Sequence, residues 1–347
     1  MISEGLATDP KPRRALIDDE SAAIIIAASV FVVSAIVAAV VFWGRELPIA
    51  GRGSLGEFVA IAGAVAAALA FAGGRWVASV LKIGGIPGQT RARYLWFDLV
   101  ALSVAHAAIA LLGWTGIATV LEHSFIGATV FTTPAVVMAA AATALSGYAA
   151  YLSGLSLTPR QLSLVLALFL AVGMITAMLS SNDPQWWQMN LSALGITHDI
   201  SSLTFNLTLI ISGVIVTTIA RFGTASLPAE TVAERRRRAV VRALFVLIGV
   251  MLACVGVFPV DRFFLLHNTV ATGMAVAFGV LVIGAPWLLP TVPKTFIVLG
   301  YVFVAAVAGL ALLFAVGIYN LTAVELIAAV LIFAWIILFL RNVQTRT

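Results

Sequence analysis

Ten continuous apolar runs, each close to twenty residues long and bounded by polar or charged residues, constrain this chain more than any other feature. They occupy 21–43, 57–78, 94–114, 128–152, 161–180, 202–220, 239–257, 268–288, 295–317 and 321–340. A hydrocarbon core about 30 Å thick is crossed by about twenty helical residues rising about 1.5 Å each, so every run is long enough to span. None alternates apolar with polar residues as a barrel strand does, and a helix satisfies its own backbone in lipid. The expected fold is therefore an all-α integral membrane protein with about ten transmembrane helices.

Composition closes the alternatives. The 347 residues are 62% hydrophobic and 10% charged, against about 25% charged in soluble domains. Too few polar side chains remain to cover a water-facing surface. The single cysteine, Cys254, excludes an intrachain disulfide, a zinc–cysteine site or an iron–sulfur cluster, and no cofactor is expected. A net charge of +5 is compatible with nucleic acid, but the basic residues lie between the apolar runs, where they report orientation instead. No nucleic-acid partner is expected.

Placing the N-terminus inside puts all but Arg45, Arg52 and Arg262 of the 20 basic residues at cytoplasmic ends. That imbalance supports an even number of spans with both termini cytoplasmic. The first run is too long for a signal-peptide core and reads as an uncleaved helix. The chain divides into a cytoplasmic tail (1–20), two spans with a basic loop (21–93), an eight-span core (94–341) and a short tail (342–347). Arg235, Arg236, Arg237 and Arg238 read as a positive-inside anchor, or as contacts for anionic lipid headgroups. Membrane lipids are the expected partners; oligomeric state is not legible.

Histidines open what read as the fourth and eighth spans (His123, His267), and these spans leave through Pro159-Arg160 and Pro293-Lys294. Asn206-Leu-Thr208 echoes Asn320-Leu-Thr322. The pattern suggests two four-helix units in parallel orientation after two initial helices.

Polar residues gather on the outer side. The loop 181–201 carries no lysine or arginine and holds Asp183, Trp186, Trp187, His198 and Asp199, while His123, Asp261 and His267 fall on the same side. The tryptophan pair fits an interfacial aromatic belt. Histidine with carboxylate can move protons or hold a metal, but no metal-ligand or nucleophile-elbow spacing is present, so no metal is expected. Capping is the plainer role, with Asp199 and Ser201 at the start of the sixth span and Asn268 at the eighth. Within the bilayer, Asp98 and His106 lie about 80° apart around the third span and about 12 Å apart along it. Ser103 is a local partner for His106, and Ser202 with Asn206 makes a polar face on the sixth span. Such residues serve either a proton or ion path or interhelical hydrogen bonding.

The segment Ser180-Ser-Asn-Asp-Pro-Gln-Trp-Trp-Gln-Met-Asn-Leu-Ser-Ala-Leu-Gly195, then Leu203-Thr-Phe-Asn-Leu-Thr208, then Gly256-Val-Phe-Pro-Val-Asp261 with His267, resembles the bacterial membrane family known as domain of unknown function 998. It looks most like actinobacterial-type members with extra N-terminal spans, over roughly 94–341. The resemblance implies a helical membrane fold and carries no assigned reaction.

Two functions fit these features. One is a transporter or lipid-handling protein that binds a small amphiphile near the outer leaflet, suggested by the layout, the polar faces and the missing catalytic motifs. The other is an outer-face intramembrane hydrolase using His123, His198 or His267 with Asp183, Asp199 or Asp261. A non-catalytic assembly or sensory role stands beside them.

Overall fold

The computed structural model describes residues 19–80, 94–196, 199–225 and 227–344. Among them, ten helices are long and apolar enough to cross a membrane. They are α1 (Asp19–Phe42), α2 (Leu55–Val80), α3 (Tyr94–Ser124), α4 (Thr132–Leu155), α5 (Pro159–Leu179), α6 (Ile200–Ala225), α7 (Val232–Val257), α8 (Phe264–Ile283), α10 (Lys294–Ala315) and α11 (Leu321–Gln344), with a single turn α9 (Ala285–Leu288) after α8. Their outward faces carry residues such as Ile24, Val33, Ile36 and Val40 on α1, more than half exposed. A surface this apolar belongs in lipid.

Cross-contacts establish that successive spans alternate in direction. The ends of α3 and α1 meet through a two-stranded antiparallel sheet, β1 (Glu46–Pro48) with β2 (Thr129–Phe131), pairing Leu47 with Val130. At the opposite face, the start of α3 meets the end of α6 through Asp98 and Arg221, and the end of α2 meets the end of α4 through Arg75 and the Gly154 carbonyl. We call this second side the arginine-rich face and the other the far face.

Local chemistry explains the helix starts. At α5, Thr158 Oγ1 accepts the Gln161 amide at 3.2 Å while Gln161 Oε1 accepts the Thr158 amide at 3.0 Å, and Pro159 sits where no helical N–H partner exists. At α7, Thr231 and Glu234 form the same reciprocal box. Where α2 and α4 touch, a Cβ on Gly154 would lie 2.5 Å from the Phe71 carbonyl oxygen and one on Gly74 2.6 Å from that of Tyr151. Both positions therefore need glycine for close backbone approach. α6 is the most enclosed span, whereas α1 and α10 are the least. Trp335 of α11 anchors an aromatic cluster, with ring centroids 4.8 Å from Phe296, 5.6 Å from Phe278 and 6.0 Å from Phe339.

Several expectations require correction. α3 runs on to Ser124, so His123 closes the third span instead of opening the fourth, and the histidine match behind the repeat is lost. Asn206 lies within α6 while Asn320 precedes α11 and accepts the Ala323 amide at 3.0 Å. Asn268 lies inside α8, whose N-cap is Phe263, and so caps nothing. The eighth span also ends at Ile283, where Gly284 interrupts it before α9.

Candidate functional site

At the far face the loop between α5 and α6 is folded into the bundle by two 3-10 turns, Trp186–Gln188 and Leu191–Gly195. All five residues of the second turn are buried. Ser192 Oγ lies 3.0 Å from His267 Nε2, and His267 Nδ1 lies 2.7 Å from the carbonyl oxygen of Phe258. Because a carbonyl only accepts, Nδ1 carries the proton, and in the neutral ring Nε2 accepts from the serine hydroxyl. Glu325, one turn into α11, accepts the Leu191 amide on Oε2 at 2.6 Å, and the Ser192 amide adjoins the same carboxylate. The Gly195 carbonyl accepts from Asn206 Nδ2 at 3.0 Å. A Cβ on Gly195 would come within 2.7 Å of Asn206 Oδ1 and 2.9 Å of the Phe205 ring, so α6 can approach only a glycine there. One buried turn is thus held by α6, α8 and α11 together.

The other expected far-face residues divide around this junction. Asp199 caps α6, accepting the Ser202 amide at 3.0 Å, and also receives the Asn182 amide at 3.4 Å. Ser201 does not cap; its hydroxyl donates to the Ala177 carbonyl of α5 at 2.8 Å. Asp183 shapes its own turn by accepting the Gln185 amide at 2.8 Å. Asp261 is exposed beside Arg262 at 3.8 Å. His123 is exposed, with Nδ1 2.8 Å from its own helix's Thr119 carbonyl. Trp187 is half exposed, as a belt residue would be, whereas Trp186 turns onto the core. His198 lies outside the described residues. Among the described residues, no three His, Cys, Asp or Glu side chains gather to hold a metal.

Within the bundle, Asp98 and His106 have separate partners. Asp98 is buried and pairs with Arg221 Nη1 at 3.2 Å, so it does not open to water. His106 stacks on Phe71 at 4.3 Å, bonds the Leu102 carbonyl through Nδ1 at 2.7 Å, and meets Ser153 Oγ of α4 through Nε2 at 2.9 Å. The Oγ of Ser103, expected to assist it, is buried and makes no hydrogen bond. Sequence reasoning missed Arg221, Ser153 and Glu325 as partners. Glu325 carried a usable signal, being an ionisable residue inside an apolar run, as Asp98 was.

A separate cavity of about 340 Å³ opens between α2, α3 and α4 beneath the β1–β2 sheet. Its walls are apolar, from Leu121 at the far-face end of α3 down to Trp114, about 10 Å along the helix. Trp114 Nε1 donates to Ser146 Oγ at 2.9 Å, which satisfies the one indole donor there. Ile117, Met138 and Leu145 line it and are about half exposed, so it opens on the lipid-facing surface of α3 and α4.

Fold and junction together define a multi-span helical membrane protein whose far-face loop is locked into the bundle. The family model described as "Protein of unknown function (DUF998)" matches residues 163–342, and the chain belongs to that family. The match begins within α5 and takes in the Ser192, His267 and Glu325 junction, while α1 to α4 and the apolar cavity lie before it. No curated protein and no solved structure matches the chain.

Proposed function

We propose that this protein handles a lipid or other small amphiphile at the extracytoplasmic side of a bacterial plasma membrane, with the arginine-rich face cytoplasmic. The orientation rests on the distribution of basic residues. Cysteines introduced at Gln185 and at Arg236, in a Cys254→Ser background, should react with a membrane-impermeant maleimide from opposite sides; reaction from the same side would reverse or break this topology.

The apolar cavity carries the lipid reading. A 340 Å³ recess with apolar walls that opens into hydrocarbon suits a flexible chain and offers nothing to a polar solute. Reconstituted in vesicles containing a phospholipid with a photoactivatable acyl terminus, the protein should be labelled most densely on α3 and α4 around Ile117, Met138 and Leu145. Ala142→Trp, which fills the recess from its wall, should remove most of that excess. Labelling spread equally over the outward faces of α1 and α10 would leave the cavity with no role.

One observation favours hydrolysis as a second reading: the Ser192 hydroxyl meets an imidazole whose other nitrogen is oriented by a carbonyl, the arrangement that activates a serine nucleophile. Against it, the Leu191 and Ser192 amides that would stabilise a developing oxyanion face the Glu325 carboxylate, and Ser192 is buried. A fluorophosphonate probe that labels wild type but not Ser192→Ala would move the assignment to the hydrolase.

A further inference from the structure

The four consecutive arginines at the start of α7 are not equivalent. Helical spacing puts Ala233, Arg236, Arg237 and Val240 on one face, and Arg235, Arg238 and Arg242 on another. Arg235 Nη1 is spent on the loop carbonyls of Glu230 at 2.7 Å and Ala229 at 3.3 Å. Arg242 turns towards α6, with Nε donating to Thr224 Oγ1 at 3.0 Å, and Arg238 and Arg221 lie close enough to act on its charge. Arg236 and Arg237 instead line a cleft of about 530 Å³ whose remaining walls are Val232, Ala233, Val240 and Leu288 of α9. Among the described residues, neither of these two arginines forms an ion pair. Glu234, the nearest acid in sequence, is hydrogen-bonded as a cap, its Oε2 accepting the amides of Thr231 and Glu230, and Arg237 lies close enough to act on its charge without forming an ion pair.

We propose that this cleft is a binding site for an anionic phospholipid of the leaflet on the arginine-rich face, its phosphate held by Arg236 and Arg237 and its glycerol and first methylenes against Val232, Val240 and Leu288. The apolar component decides between a lipid and a soluble anion. Two guanidinium groups alone would serve free phosphate equally, but the aliphatic wall continues from Val240 to the exposed Leu247, seven residues further along α7 on the same stripe. A headgroup at the arginines therefore has a path for its chains down the helix into the bilayer. Of the first-turn amides of α7, that of Glu234 is already taken by the Thr231 hydroxyl at 3.1 Å. The site does not depend on the far-face cavity or on what the protein handles there.

The test compares arginine pairs within the same run. Native mass spectrometry of the full-length protein in detergent, titrated with phosphatidylglycerol or phosphatidylcholine, reads the affinity for each lipid. An arginine near an anionic membrane surface contributes about 1 kcal/mol, or about fivefold, so Arg236→Gln with Arg237→Gln should weaken phosphatidylglycerol roughly thirtyfold. Arg235→Gln with Arg238→Gln should change it less than threefold, and phosphatidylcholine should bind the wild type more weakly throughout. Excess inorganic phosphate should leave the lipid bound. Equal losses from both pairs would reduce the run to diffuse electrostatic attraction, and equal binding of the two lipids would remove the headgroup role. Displacement by phosphate would make the cleft a site for a soluble anion. Thermal melting of each variant in the same detergent shows that the compared proteins are folded.

Discussion

Arg221→Met should destabilise the folded bundle by about 3–5 kcal/mol, the cost of leaving a buried carboxylate without its cation. Asp98 is 4% exposed on α3 and meets Arg221 of α6 at 3.2 Å, so the pair ties the two helices at the arginine-rich face. The two partners are not symmetric. The Arg221 side chain keeps 21% of its surface exposed and its long stem can carry the charge to the interface once Asp98 is gone, whereas the short Asp98 side chain has no such route. Asp98→Asn should therefore cost less than Arg221→Met. Replacing both, Asp98→Leu with Arg221→Met, should recover most of the loss, because an apolar pair carries no desolvation penalty. Unfolding in mixed micelles of rising dodecyl sulfate content measures all three. Single variants within about 1 kcal/mol of wild type would mean that water reaches the pair.

The second large effect is expected at Glu325. Glu325→Ala strips the acceptor from the buried Leu191 amide and from the Ser192 amide beside it, and an unsatisfied buried donor costs about 1–3 kcal/mol. With roughly 3 kcal/mol lost locally, amides 191–195 should exchange with deuterium on the order of a hundredfold faster while α2 to α4 keep their protection. Glu325→Gln, which retains one acceptor oxygen, should fall between. Exchange unchanged in the alanine variant would show that α6 and α8 hold the 3-10 turn without α11.

Most of the fold was legible in the sequence because lipid permits so few backbone solutions: length and hydropathy gave ten spans, and ten helices carry them. The ends were less legible where polar residues continue a helix past the hydrocarbon. Glu122 and His123 look like a loop beside an apolar run, yet α3 keeps them helical up to Ser124, and Gly127 at φ 74° makes the turn towards β2. The segments that carried the family resemblance converge in space, Ser192-Ala-Leu-Gly195 meeting Asn206 through Gly195 and His267 through Ser192. Their pairing was not readable, because spacing along a chain does not say which helices are neighbours. Asp98 and His106 were singled out for sharing one helix, but their partners come from α6 and α4, 123 and 47 residues away. The Asp261 position, attractive beside a histidine in sequence, points to solvent with Arg262.

The placement of α1 bears on how the chain is assembled during synthesis. α1 packs chiefly on α4 and scarcely touches α2, its neighbour in sequence. A helix that leaves the ribosome before α2, α3 and α4, at several residues per second, thus has its native partner only after three further spans have been made. Until then its apolar surface is content in lipid but its place in the bundle is vacant, and the β1–β2 pairing that links its far end to α4 also waits for residues 129–131. α2, α3 and α4 can associate as they emerge, so α1 is expected to dock last among the first four, as a lateral addition to a three-helix unit already in the membrane.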